Sequence, residues 1–233
     1  VELTARLAAA LARSGAGLLL DLDGTLVLSE TTHQEAYHAF FAARGWDVTD
    51  DVVREFSGRR GHEVFAALDG PWRGEDPMAL TASVIETLGR LVRAGARPAA
   101  VPGAAESLAA ARRLSLPTAV VTSANREWTA AVLDALGAAT DVSRVTAEDC
   151  ARGKPDPEPY RRGAAMLGRP SGGLVAMEDT PAGVASARAA GVGLVLGVTT
   201  TRAPELLLAA GADACVPDLT PLAEALGRLA PRP

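Results

Sequence analysis

Six short apolar runs restrict the fold of this chain most: 17–21 (GLLLD), 117–122 (PTAVVT), 142–146 (VSRVT), 173–178 (GLVAME), 192–197 (VGLVLG) and 213–216 (DACV). Helical patterns separate the later ones, at 104–114, 126–136, 157–167, 182–190 and 203–210. Strands alternating with helices predict a parallel sheet, and strands apolar throughout predict that both its faces are covered. The fold class expected is therefore α/β, a Rossmann-like parallel core with helices on both sides. Residues 31–94 interrupt it with helical periodicity alone. Ala36, Tyr37, Phe40 and Phe41 share one face there, and Leu80, Val84, Ile85, Leu88, Leu91 and Val92 recur at helical spacing. The expected organisation is a core of 1–30 and 96–233 with an all-helical insertion at 31–95.

The 233 residues are 48% hydrophobic with a net charge of −5, enough for a sizeable core and against a nucleic-acid partner. The opening VELTARLAAALARS carries Arg6 and Arg13 and reads as an amphipathic helix rather than a signal peptide. No run approaches the roughly 18 apolar residues of a membrane span. Cys150 and Cys215 have no disulfide or zinc spacing, which fits a cytoplasmic protein. A monomer or weak dimer is expected.

The first strand runs straight into Asp21 and Asp23, followed by Gly24. In open α/β sheets ligands bind beyond the carboxyl ends of strands. Two carboxylates converging there need a cation, or one of them must hold a proton. Alone, Asp-Gly is an ordinary turn. An EF-hand fails, because its sixth and twelfth positions would be Leu26 and Thr32. A second acidic pair, Glu178–Asp179, ends another strand, with Thr180 placed to cap a helix that starts at Pro181 and ends near Gly191. Paired acids at two strand ends point to a hard cation such as Mg²⁺.

Two further segments complete an anion site. VVTSAN ends a third strand with Thr122 and Ser123, then Asn125 at a helix start, which suits either a phosphate or a simple N-cap. ARGKPDPEPY fixes Lys154 between Gly153 and Pro155, where its ammonium can neutralise carboxylate and phosphate together.

The ordered set DLDGT, VVTS, GKPDPEPY and MEDTPAG resembles the haloacid dehalogenase superfamily of phosphotransferases. The helical insertion is similar to the cap of the branch that holds β-phosphoglucomutase, phosphoglycolate phosphatase and sugar- or polyol-phosphate phosphatases. The resemblance implies Asp21 as nucleophile and Asp23 as general acid and base, with its backbone carbonyl on Mg²⁺. It implies Asp21, Asp179 and Glu178 as metal ligands, and Lys154 on the nucleophile and the phosphoryl group. Either Thr122 or Ser123 donates to phosphate, joined by the amides of Leu22 and Ala124. In the cap, His33, Arg59, Arg60 and His62 are candidates to meet substrate. Leu28 departs from the aspartate common in relatives at that place. Trp46, Trp72 and Trp128 read as packing residues, with Trp72 at a cap edge.

The function so implied is Mg²⁺-dependent hydrolysis of a small phosphorylated metabolite, a sugar or polyol phosphate, through an aspartyl phosphate. A mutase returning the phosphoryl group to sugar is the alternative, followed by a phosphoglycolate phosphatase or a non-enzymatic binding module. A dehalogenase would need neither Asp23 nor the Glu178–Asp179 pair.

Overall fold

The computed structural model describes residues 2–56, 61–140 and 142–230. The chain divides into two compact units, residues 1–28 with 99–233 and residues 29–98.

The larger unit holds a six-stranded sheet. Its strands are β1 (Gly17–Leu20), β4 (Thr118–Val121), β5 (Ser143–Val145), β6 (Leu174–Glu178), β7 (Leu194–Val198) and β8 (Ala214–Val216). They lie in the order β5-β4-β1-β6-β7-β8 and every neighbouring pair is parallel. All residues of β1, β4, β6 and β7 are buried, which is why they read as unbroken apolar runs. Burying each leucine of Leu18, Leu19 and Leu20 contributes about 1.5–3 kcal/mol. One face packs Leu19, Val121 and Ala176 against α8 (Glu158–Met166), α9 (Pro181–Ala189) and α10 (Pro204–Ala209). In a strand, alternate residues point to opposite faces, so Leu18 and Leu20 face the other way. The N-terminal amphipathic pattern forms α1 (Glu2–Ala12), which packs through Leu7 and Leu11 near β6 and against α11 (Thr220–Gly227). α11 in turn packs on α6 (Ala104–Arg113).

From β1 the chain builds β4 and then β5 on one side, and returns to the other side of β1 for β6, β7 and β8. Strand order thus reverses beside β1, and a crevice is expected outside the carboxyl ends of the strands at such a reversal. A two-stranded antiparallel pair, β2 (Val27–Leu28) with β3 (Ala99–Ala100), was absent from the sequence reading. The chain leaves for the second unit through β2 and comes back through β3.

Among the described residues the smaller unit is all helical: α2 (Glu30–Ala43), α3 (Asp50–Arg54), α4 (Gly61–Ala67) and α5 (Pro77–Arg93). Asp76 caps α5, accepting from the amides of Met78 and Ala79 at 3.1 and 3.3 Å. The core contains Phe40, Phe41, Phe56, Phe65 and Trp72, with Tyr37 and Trp46 packed against it. Trp72 stacks on Phe41 with ring centroids 5.5 Å apart, and its indole donates to the carbonyls of Phe65 and Leu68. It is a core residue rather than an edge one. Of the apolar residues expected at helical spacing on α5, Leu80 and Val84 are buried, joined by Thr87, whereas Ile85 is 41% exposed.

Candidate active site

Lys154 is the only lysine in the chain. It stands in the loop before α8, where Glu158 accepts the amides of Ala151 and Arg152 at 3.1 and 2.9 Å. Those bonds, with the salt bridge from Arg162, hold Glu158 ionised with a pKa pulled down to about 2. The ammonium reaches under the carboxyl ends of three strands. It donates to Asp21 Oδ1 at 2.6 Å, to Glu178 Oε1 at 2.5 Å and to the carbonyl of Val121 at 2.9 Å. An ammonium has three donors, so these contacts use all of them. Burial opposes the charge on Lys154, but Asp21 and Glu178 beside it push its pKa above the ordinary lysine range.

Glu178 is fully buried and its two oxygens take four donors. Oε1 accepts from Lys154 and from the Tyr160 hydroxyl at 3.1 Å. Oε2 accepts from the amide and hydroxyl of Thr180 at 3.1 and 2.9 Å. Thr180 also caps α9, accepting from Gly183 at 3.1 Å, with Pro181 as the first helical residue.

Asp179 lies beside this cluster, 2% exposed. Thr201, from the loop after β7, donates to its Oδ2, and Thr25 donates to Oδ1 at 3.4 Å. Gly24 makes this approach possible. Its φ is +87°, and a Cβ there would sit 2.1 Å from Asp179 Oδ2. Asp21, Glu178 and Asp179 each offer an oxygen within 4.8 Å of the others. Among the described residues the three carboxylates share one ammonium, so that full ionisation leaves two negative charges in a dry place. Burial, then the charge of Glu178, raises the pKa of Asp179 from 3.8 to about 7. Burial raises that of Asp21 well above the usual range even though Lys154 opposes the rise. A hard divalent cation matches this oxygen-only donor set and its charge deficit.

Asp23 is half-buried at the turn after β1, and the Trp128 indole donates to its Oδ1 at 2.8 Å. Trp128, expected as packing, is therefore tied to a carboxylate of the site. Thr122 follows β4 and is buried, whereas Ser123 is exposed. The Ala124 amide, expected to face phosphate, donates to Thr122 Oγ1 at 3.0 Å. Asn125 accepts from Trp128 N at 2.8 Å and caps α7 (Arg126–Ala135), which is the plainer of its two readings. Leu22 is buried, and its carbonyl closes the turn by accepting from Leu26 and Val27.

The structure thus gathers Asp21, Lys154, Glu178 and Asp179 directly, with Thr122 next in sequence to the carbonyl that Lys154 holds. His33 and His62 belong to the other unit and are half-buried there. Arg59 and Arg60 lie outside the described residues. Sequence reasoning missed Thr25, Trp128, Tyr160 and Thr201. A signal did exist for two of them: seven of the nine aromatic residues fall in the helical unit, and the two left in the sheet unit, Trp128 and Tyr160, both donate to site carboxylates.

Residues 16–191 match the family model described as haloacid dehalogenase-like hydrolase. Validoxylamine A 7'-phosphate phosphatase of Streptomyces hygroscopicus subsp. limoneus is 38% identical, covering 87% of this chain and 93% of its own. Hexitol phosphatase A of Escherichia coli is 33% identical over 75% of this chain and 79% of its own. Among solved structures, CbbY from Rhodobacter sphaeroides in complex with phosphate superposes with a TM-score of 0.76 at 28% identity, over 89% of this chain and 95% of that one.

Proposed function

The chain belongs to the haloacid dehalogenase-like hydrolases and is a phosphoric monoester hydrolase, and from that premise we propose that it releases phosphate from a small hydroxyl-rich monoester, a sugar or polyol phosphate, by way of an aspartyl phosphate on Asp21. The observation that carries this reading is Asp21 itself: a buried carboxylate at the strand-order reversal, held by Lys154 at 2.6 Å beside two further acids. The names of the relatives, a validoxylamine phosphate phosphatase and a hexitol phosphatase, support the hydroxyl-rich substrate class.

In this reading an Asp21 oxygen forms a bond to phosphorus as the bond to the leaving oxygen breaks, and Asp23 gives that oxygen its proton. Water then attacks phosphorus, Asp23 takes the proton of the water, and Asp21 is released. Lys154 keeps Asp21 oriented and offsets the charge gathering on the phosphoryl oxygens. Asp21, Asp179 and the Asp23 carbonyl are the groups that would hold Mg²⁺, with Glu178 close by but engaged chiefly in anchoring Lys154. Mg²⁺, when bound, supplies positive charge to the transferring group. The helical unit is the cap, which excludes water and selects the substrate through residues such as His33, Arg59 and Arg60.

A phosphate-release panel of sugar phosphates, polyol phosphates, phosphoglycolate and nucleotides, with Mg²⁺, tests the reading. Turnover of a sugar or polyol phosphate, lost in Asp21→Asn with the fold intact, supports it. Preference for phosphoglycolate or a nucleotide would replace the substrate class, and turnover surviving in Asp21→Asn would overturn the mechanism.

A further inference from the structure

The sheet unit is built from alanine, valine and leucine and uses almost no aromatic residues. Trp128 is one of its two, and it is 4% exposed. It occupies the first turn of α7, whose start is fixed by the Asn125 cap on Trp128 N at 2.8 Å. From that anchored position the indole crosses to the turn after β1 and donates to Asp23 Oδ1 at 2.8 Å. A buried indole N–H needs an acceptor, and a backbone carbonyl serves elsewhere in this chain, at Trp72. Here the acceptor is the carboxylate assigned to proton transfer.

We propose that Trp128 is a positioning residue that orients the Asp23 carboxyl and decides which of its oxygens handles the proton. An indole nitrogen can only donate. While it bonds Oδ1, that oxygen is held as an acceptor, and the transferable proton resides on Oδ2. In the first step the proton passes from Oδ2 to the leaving oxygen as its bond to phosphorus breaks. In the second, Oδ2 takes the proton from the attacking water as the phosphorus–Asp21 bond breaks. Phenylalanine would fill much of the same space and remove the donor that holds Oδ1. The inference rests on the role of Asp23 in the proposed hydrolysis.

Leaving groups separate this role from a merely structural one. An alkyl phosphate needs its leaving oxygen protonated, whereas p-nitrophenolate departs without a proton. In Trp128→Phe, kcat on the best alkyl phosphate of the panel should fall about 10–100-fold with KM within about threefold. The pre-steady-state burst of p-nitrophenolate should change by less than about threefold. Equal losses on both substrates, or no loss, overturn the proposal. The Trp128 indole ¹⁵N–¹H resonance, assigned as the one that neither Trp46→Phe nor Trp72→Phe removes, should shift in Asp23→Ala; if it does not move, the contact is absent and the proposal fails even where Trp128→Phe cannot be purified folded. A wild type that hydrolyses no phosphate monoester, or an active Asp21→Asn, sinks the hydrolytic reading instead, and is told apart because the indole shift is unaffected by it.

Discussion

Lys154 is one lysine among 23 basic residues, the rest being arginine. Its three donors are taken by Asp21, Glu178 and the Val121 carbonyl within 2.5–2.9 Å, a set of points that a flat, wider guanidinium cannot reproduce. Lys154→Arg should therefore behave as a null variant on phosphate monoesters, down at least about 10²–10³-fold in kcat. Lys154→Met leaves Asp21 and Glu178 buried without a cation and removes the ammonium that opposes the rise in the Asp21 pKa. A raised acid contributes stability that is complete below the unfolded pKa and lost as pH rises through the folded one. Urea unfolding of Lys154→Met should thus show a deficit of about 3–5 kcal/mol at pH 8 and a smaller one at pH 5. A deficit that is the same at both pH values would mean the pair is not charged in the wild type. Asp21, Lys154 and Asp179 were legible because each stands at a strand end or in a stiff loop, a position that local pattern reveals. Tyr160 and Trp128 were not, since both sit at helical spacing where an aromatic normally packs. Only the packing of α8 on the sheet, and the start of α7 beside the turn after β1, bring their polar tips to acids far away in sequence.

The start of α9 carries the site as much as any side chain does. Thr180 caps the helix and, with the same hydroxyl, donates to Glu178, so cap and carboxylate are locked together. Gly183 lies against that carboxylate: a Cβ would fall 1.7 Å from Glu178 Oε1. At the far end of α9, Gly191 has φ +79° and nothing within 4 Å of a built Cβ. Alanine at either glycine should cost stability, about 1–3 kcal/mol at Gly183 from overpacking and about 1–2 kcal/mol at Gly191 from the left-handed backbone. Activity should separate them. Gly183→Ala displaces the anchor of Lys154 and should lose at least about tenfold in kcat, because small misplacements of a positioned group are costly. Gly191→Ala should keep kcat within about twofold. Matched activities in the two variants would mean that Glu178 does not transmit its position to the site. Elements of this kind, buried strands followed by capped helices, were readable to within a residue or two: β6 was expected at 173–178 and spans Leu174–Glu178. The β2–β3 pair was not readable. Each strand has two residues and the partners are separated by the whole helical unit, so no local periodicity marks them.

For the whole molecule, the cluster at the sheet's end is a charge deficit built into a stable fold, and it links metal, protons and folding. Without a cation, burial holds the Asp179 pKa near 7 and keeps that of Asp21 raised. Stability from the Asp179 proton is complete below about pH 4 and is lost as pH rises through about 7. Mg²⁺ needs the ionised oxygens, so below pH 7 it must displace a proton to bind. Mg²⁺ affinity should therefore climb by up to about tenfold per pH unit from about pH 5 to 7 as Asp179 gives up its proton. At a concentration about 100 times the dissociation constant, Mg²⁺ adds about 2.7 kcal/mol, which for a chain of this size raises Tm by about 5–10 °C. Chelator-treated protein melted with and without Mg²⁺ at pH 5.5 and pH 8 measures this directly, and the larger shift belongs at pH 8. Asp179→Asn gives the complementary result. It should raise the metal-free Tm at pH 8 by removing a buried negative charge, abolish the response to Mg²⁺, and stop turnover. An Mg²⁺ shift equal at both pH values, or one that persists in Asp179→Asn, would place the cation somewhere other than beside Asp21 and Asp179.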